Sequence, residues 1–288
     1  MPAAIQLRIR TRTTRRLWPL WCLLTLSTVG CGLATYEQRL EDTNDYFAYL
    51  NKLKAHLTDS PWVDQNGYGI EIRMPRGFAL DQQQLLPPEG AEPESEEVVL
   101  VPTPPVYLGV QEMEGLIAAW KASLRTGGGG AADAYLYVLG NHERFLVRAA
   151  NDGEGADPAE FLNDLDFMLQ DLFQVTLPEG ESDDVAADNV RFSESIPRIE
   201  KYAVPKEFRG VSFLPPPEST AGALGMKAQL FVHESGPVQV AFLMVYPINV
   251  ESNPVESLTL ALETLNVSSE PPQLRRPDEP ATGPRPSF

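Results

Sequence analysis

The chain has 288 residues, of which 43% are hydrophobic, with 26 prolines, 21 glycines, two cysteines and a formal net charge of −17. That composition builds a real core, which excludes a wholly disordered chain, and two cysteines exclude a disulfide-stapled miniprotein. So negative a chain repels phosphate, which argues against nucleic acid as a partner, and its length suits one large domain or two small ones.

The first 16 residues carry Arg8, Arg10, Arg12, Arg15 and Arg16 and no acid. An apolar stretch from Leu17 to Val29 follows, closed by Gly30 and Cys31. A basic arm, a short apolar run and a small residue before a boundary are the parts of an export signal. The run is shorter than the ~20 apolar residues that cross a bilayer, and Pro19, Thr25, Ser27 and Thr28 weaken any longer span. An uncleaved signal anchor and an ordinary signal peptide are the other readings of the same stretch.

The sequence Leu26-Ser27-Thr28-Val29-Gly30-Cys31 resembles the lipobox of bacterial lipoproteins, with Thr28 standing where that family usually has Leu. The resemblance implies removal of residues 1–30 and lipidation of Cys31, with palmitate among the acyl chains. It also implies a membrane anchor that leaves the body facing the periplasm or the cell exterior. Removing residues 1–30 takes away five of the 23 basic residues and none of the 40 acids, so the mature charge is −22. Cys22 is discarded with the signal and Cys31 is blocked, which leaves neither a free thiol nor a disulfide.

Within 31–60, residues 34–57 read as an amphipathic helix. Tyr36, Leu40, Phe47, Leu50, Leu53 and Leu57 recur at steps of three, four and seven, and Tyr46 and Tyr49 widen the stripe. Such a stripe packs on its own domain or serves as a partner-binding stalk. Tyr68–Met74 alternates as a half-buried strand, ended by Pro75-Arg76-Gly77-Phe78. Residues 81–105 hold six prolines and a run of Glu, the composition of a long exposed loop. Leu116, Ile117, Trp120 and Leu124 suggest a short helix over 114–125, broken by the glycines at 127–130. Ala134–Leu139 and Phe145–Ala150 read as two strands around a hairpin turn, Gly140-Asn141-His142-Glu143. Asp157-Pro158-Ala159-Glu160 starts a helix, with Asp at the cap, Pro at the first turn and Glu at the third position.

The same order recurs. Val204-Pro205-Lys206-Glu207-Phe208 echoes Met74–Phe78. Gln229–Val232 and Val238–Tyr246 flank a turn at His233–Gly236, and Asn253-Pro254-Val255-Glu256 repeats the helix start. The expected fold is therefore α+β, with antiparallel sheets, helices packed on one face, and two degenerate half-domain repeats. The halves are 61–180, carrying the 81–105 insertion, and 181–268, before a disordered proline-rich tail at 269–288. Each half resembles the Mog1/PsbP type of α+β domain in its Pro-x-x-Phe strand, hairpin and closing helix, a fold that implies binding rather than a set chemistry.

Chemical motifs are sparse. There is no nucleophile elbow, no Ser-x-x-Lys, no phosphate loop and no zinc helix in the sequence. His142 and His233, each followed by Glu, fall in equivalent turns of the two copies but make no tetrahedral ligand set unless the turns converge. No cofactor, metal site or catalytic residue is assigned. Trp62, Tyr68, Tyr107 and Trp120 cluster around the insertion and are candidates for a ligand groove or for the core. The reading that follows is a lipid-anchored envelope protein with a non-catalytic binding or scaffolding role, anchored through Cys31 and able to dock a protein through the 34–57 helix. The alternative is a carboxylate-dependent envelope enzyme with a cleft between the halves.

Overall fold

The computed structural model describes residues 18–85, 99–178, 180–181, 189–198 and 201–273, with side chains from residue 34 onward. The chain divides into two compact units at Leu53 and Lys54. The first consists of most of one long helix, α1 (Trp18–His56), whose existence over 34–56 matches the apolar repeat. On it Tyr36, Leu40, Tyr46, Phe47 and Leu50 are exposed, while Leu53 is buried. Among the described residues no helix is long and apolar enough to cross a membrane.

The second unit begins with β1 (Trp62–Val63), β2 (Ile70–Ile72), β3 (Ala79–Leu80), β4 (Gln82–Gln84) and β5 (Leu100–Pro102). It continues with β6 (Leu116–Arg125), β7 (Ala131–Gly140), α2 (His142–Ala150) and α3 (Phe161–Phe173). It ends with β8 (Val190–Ile196), β9 (Lys206–Phe213), α4 (Thr220–Ala223), β10 (Met226–Ser235), β11 (Val238–Pro247), α5 (Pro254–Glu263) and β12 (Asn266–Val267). Seven strands form one antiparallel sheet in the order β3-β6-β7-β11-β10-β9-β8. A small sheet runs β1-β2-β12, and β4 and β5 make a separate ribbon. The fold is thus α+β with antiparallel sheets.

The two halves read from the sequence meet inside the large sheet. β7 and β11 pair over six residue pairs, from Gly140 opposite Val240 to Tyr135 opposite Val245. β12 from the second half pairs with β2 from the first. The middle of the sheet is buried on both sides. Tyr137, Leu139, Val211, Leu230, Ala241 and Leu243 meet Phe161, Leu165, Leu169 and Phe173 of α3. The alternate residues Leu136, Val138, Val240, Phe242 and Met244 are fully buried as well. On that second face Trp120 meets Trp62 edge to face, with ring centres 5.0 Å apart. Burial on both faces is why Val238–Tyr246 reads as an almost unbroken apolar run rather than an alternation.

Both expected helix starts form. The Asp157 carboxylate accepts the Ala159 N–H at the head of a 3-10 turn leading into α3, and the Asn253 side chain accepts the Val255 N–H at the head of α5.

Four expectations are corrected. Residues 116–125 are a strand, not a helix. The spacing of Leu116, Ile117, Trp120 and Leu124 mimics a helical period, but Ala118, Ala119, Trp120 and Ala122 are buried on both faces of β6. The glycines at 127–130 are its hairpin turn into β7, with Thr126 N–H donating to the Gly130 carbonyl. Residues 145–150 belong to α2, so Gly140–Glu143 is a strand-to-helix junction and not a hairpin; Glu143 and Arg148 lie at the two ends of that helix. The second hairpin turns at Gly236-Pro237, which leaves His233 inside β10 rather than in a turn. The insertion is not all loop, since Gln82–Gln84 and Leu100–Pro102 pair; residues 86–98 between them, 182–188, and 274–288 of the tail lie outside the described residues.

Candidate functional site

The most polar part of the interior is where β7 hands over to α2. Asn141 is fully buried. Its amide donates to the Pro158 and Pro237 carbonyls at 3.1 and 2.9 Å, and its side-chain oxygen accepts the Gln239 N–H at 3.0 Å. It therefore pins the α3 entrance and the β10–β11 turn to the end of β7.

Arg144, one helical step on, is a buried charge with every side engaged. It reaches Glu114 at 2.6 Å and Asp164 at 2.8 Å, donates to the Asp157 carbonyl at 3.0 Å, and lies over the Phe161 ring at 5.4 Å. Both carboxylates are more than half exposed, so solvent already supports them and the arginine alone bears the cost of burial.

His142 lies between these two and is treated differently. It is fully buried, and neither ring nitrogen has a hydrogen-bond partner of good geometry among the described residues. Tyr68 stacks on it, with ring centres 4.7 Å apart and planes 25° apart. Burial pushes the His142 pKa down to about 4, opposed in part by the Tyr68 backbone. The ring occupies the space above Gly140, where a Cβ would lie 2.5 Å from its Nδ1.

Tyr68 comes from the β1–β2 loop. Asp64, itself buried, shapes that loop by accepting the N–H groups of Asn66 at 3.1 Å and Tyr68 at 2.6 Å. The outer side of the loop forms one wall of a cleft lined by Trp62, Asp64, Gln65, Gln82, Leu100 and the strip Ile117–Ala119. Its volume is about 60 Å³, well below the ~300–1,000 Å³ that encloses a drug-sized ligand.

The four aromatic residues singled out in the sequence do not share one groove. Trp62 reaches the cleft and Trp120 packs under it. Tyr68 turns inward onto His142. Tyr107 stacks on Tyr135 at 4.1 Å, on the α3 side of the sheet and therefore across it from Trp120. The histidines do not converge either. His233 has its Nδ1 3.0 Å from the Glu207 carbonyl oxygen and its ring beside Phe208, and His56 ends α1. Among the described residues no three His, Cys, Asp or Glu side chains are grouped to hold a metal ion. Cys31 falls within the span of α1, with its side chain outside the described residues.

Sequence reasoning missed Asn141 and Arg144. The available signal was an Asn directly after a long apolar strand ending in Gly, with an Arg three residues later, where a plain hairpin turn needs neither. No family model matches the chain, and no curated protein matches it in sequence.

Proposed function

We propose that this chain is a lipid-anchored protein of the bacterial cell envelope whose α+β body binds or scaffolds rather than catalyses. The observation that carries the reading is Gly30-Cys31 placed after five arginines and a short apolar run. The chemistry of the body is consistent with it. At the head of α2, Asn141 is spent on backbone groups and Arg144 on Glu114, Asp164 and a carbonyl, and the adjoining cleft is small. A mature charge of −22 gives no attraction to anionic lipid, so acyl chains at ~0.8 kcal/mol per buried methylene supply the anchor, two or more of them for stable attachment.

The test is expression of the full chain in a bacterium with and without globomycin, beside Cys31→Ser. The expected result is a mature protein that begins at Cys31 and carries acyl mass, with unprocessed precursor under globomycin and in the variant. A mature mass without acyl chains overturns the reading.

A docking role for α1 is favoured by one specific observation, the exposure of Tyr36, Leu40 and Phe47 along it. Cross-linked partners lost in Leu40→Asp/Phe47→Asp, with the circular dichroism of the chain unchanged, are the expected signature. The enzymatic alternative asked for a cleft between the halves. That boundary is the hydrogen-bonded interior of a sheet, where β7 meets β11.

A further inference from the structure

We infer that the Asp64–Gly69 loop is an acid-released latch, closed at neutral pH by the stacking of Tyr68 on His142 and opened by acid so as to remodel the cleft that its outer side walls. This inference is independent of the lipid anchor.

A buried polar side chain normally finds a partner, and one that does not invites an explanation. His142 is withdrawn from water at a strand-to-helix junction, with an aromatic ring on it, no hydrogen-bond partner of good geometry among the described residues and only the Tyr68 backbone close enough to favour its charged form. A neutral imidazole tolerates that setting; an imidazolium, with two donors and a charge, does not. The ring that covers it comes from a segment, residues 64–69, that lies outside any helix or strand. Tyr68 stands between Gly67 and Gly69, both left-handed at φ 78° and 75°, a conformation other residues rarely adopt. The loop is anchored at its ends, by Asp64 N–H donating to the Ile70 carbonyl and by Ser268 N–H donating to the Gly69 carbonyl. Its middle can swing while the small sheet stays paired.

The charged groups around the site favour the opened form in acid. From the loop, the Asp64 carboxylate is tied to backbone N–H groups, and from α2, Glu143 is exposed; burial raises the Tyr68 pKa, and both of these charges add to the rise. Arg144 is neutralised by Glu114 and Asp164, and Asp157 by Arg148. β6 contributes apolar Ile117 and β11 the uncharged Gln239. His142 makes no ion pair among the described residues, whereas Glu143 and Asp64 lie close to the Tyr68 that covers it. Because Gln65 and Asn66 of the loop's middle line the cleft, movement of the loop changes its wall.

The test is hydrogen exchange of the full chain in detergent at pH 7.5 and pH 5, corrected for intrinsic rates, for wild type and for His142→Phe, which keeps a stacking ring and cannot ionise. In wild type, protection at 64–69 and at the start of α2 is expected to fall about tenfold or more on acidification while α3 and β10 hold. In His142→Phe it changes by no more than about twofold beyond those reference elements. Equal loss in both proteins, or loss across the whole sheet, overturns the latch. Should the variant not fold, the imidazole titration of wild-type His142 by NMR decides. A midpoint well below 6.5 that rises in Tyr68→Ala supports the latch, and a midpoint near 6.5 overturns it.

Discussion

Arg144 and His142 are two residues apart in the first turn of α2, both withdrawn from water, and the fold handles them in opposite ways. Arg144 meets two carboxylates, a carbonyl and an aromatic face. His142 meets a tyrosine ring and no acceptor of good geometry among the described residues. The difference follows from what each group does when buried. A guanidinium keeps its charge at any accessible pH, so the fold must satisfy it. An imidazole can shed its proton, and burial without a partner makes it do so. One is a permanent clasp; the other is tolerable only while it is neutral.

The largest test of that contrast is Arg144→Ala. Removal of the clasp strips partners from the Asp157 carbonyl and Phe161 and is expected to cost about 3 kcal/mol, read as a lowered denaturant midpoint. A loss under about 1 kcal/mol would make Arg144 an ornament of the surface and erase the comparison. Asn141→Ala comes next, at about 2–3 kcal/mol, because it orphans the Gln239 N–H and two carbonyls at a fully buried position.

His142 is tested by pH. Its folded pKa, about 4, lies below the ordinary 6.5, so its neutral form is the one the fold favours. Stability is complete above pH 6.5 and is lost as the pH falls towards 4, by about 2 kcal/mol between pH 7.5 and pH 5. His142→Phe is expected to remove that slope while costing less than about 1 kcal/mol at pH 7.5, which parallel urea titrations at the two pH values measure. The smallest effect is Glu114→Gln. Its carboxylate is 60% exposed and Asp164 still faces the arginine, so the loss is about 0.5 kcal/mol and shrinks with added salt.

The parts of the fold that could be read from the sequence are those whose physics is local. Asp157-Pro158 and Asn253-Pro254 start helices because a short side chain caps the first free N–H groups and proline has none to satisfy. The apolar repeat of 34–56 makes a helix, and the alternation of Ile70 and Ile72 makes a strand, for reasons contained in a few neighbouring residues. The candidate site was barely legible: of its members only Trp62, Tyr68 and His142 were singled out, and of these only Trp62, named for a ligand groove, lines the cleft.

What tertiary structure alone decided depends on distant segments. Residues 116–125 became a strand because β7 and the stub of β3 pair with them, and once a segment is buried on both faces its apolar spacing no longer distinguishes strand from helix. The two halves became one sheet through the pairing of β7 with β11, about a hundred residues apart, which no local pattern encodes. The environment of His142 is the same kind of fact. Its sequence neighbours are Asn141 and Glu143, polar company that suits a surface turn. It is dry because a tyrosine from the β1–β2 loop closes over it, and burial is a property of the assembled fold rather than of the residue.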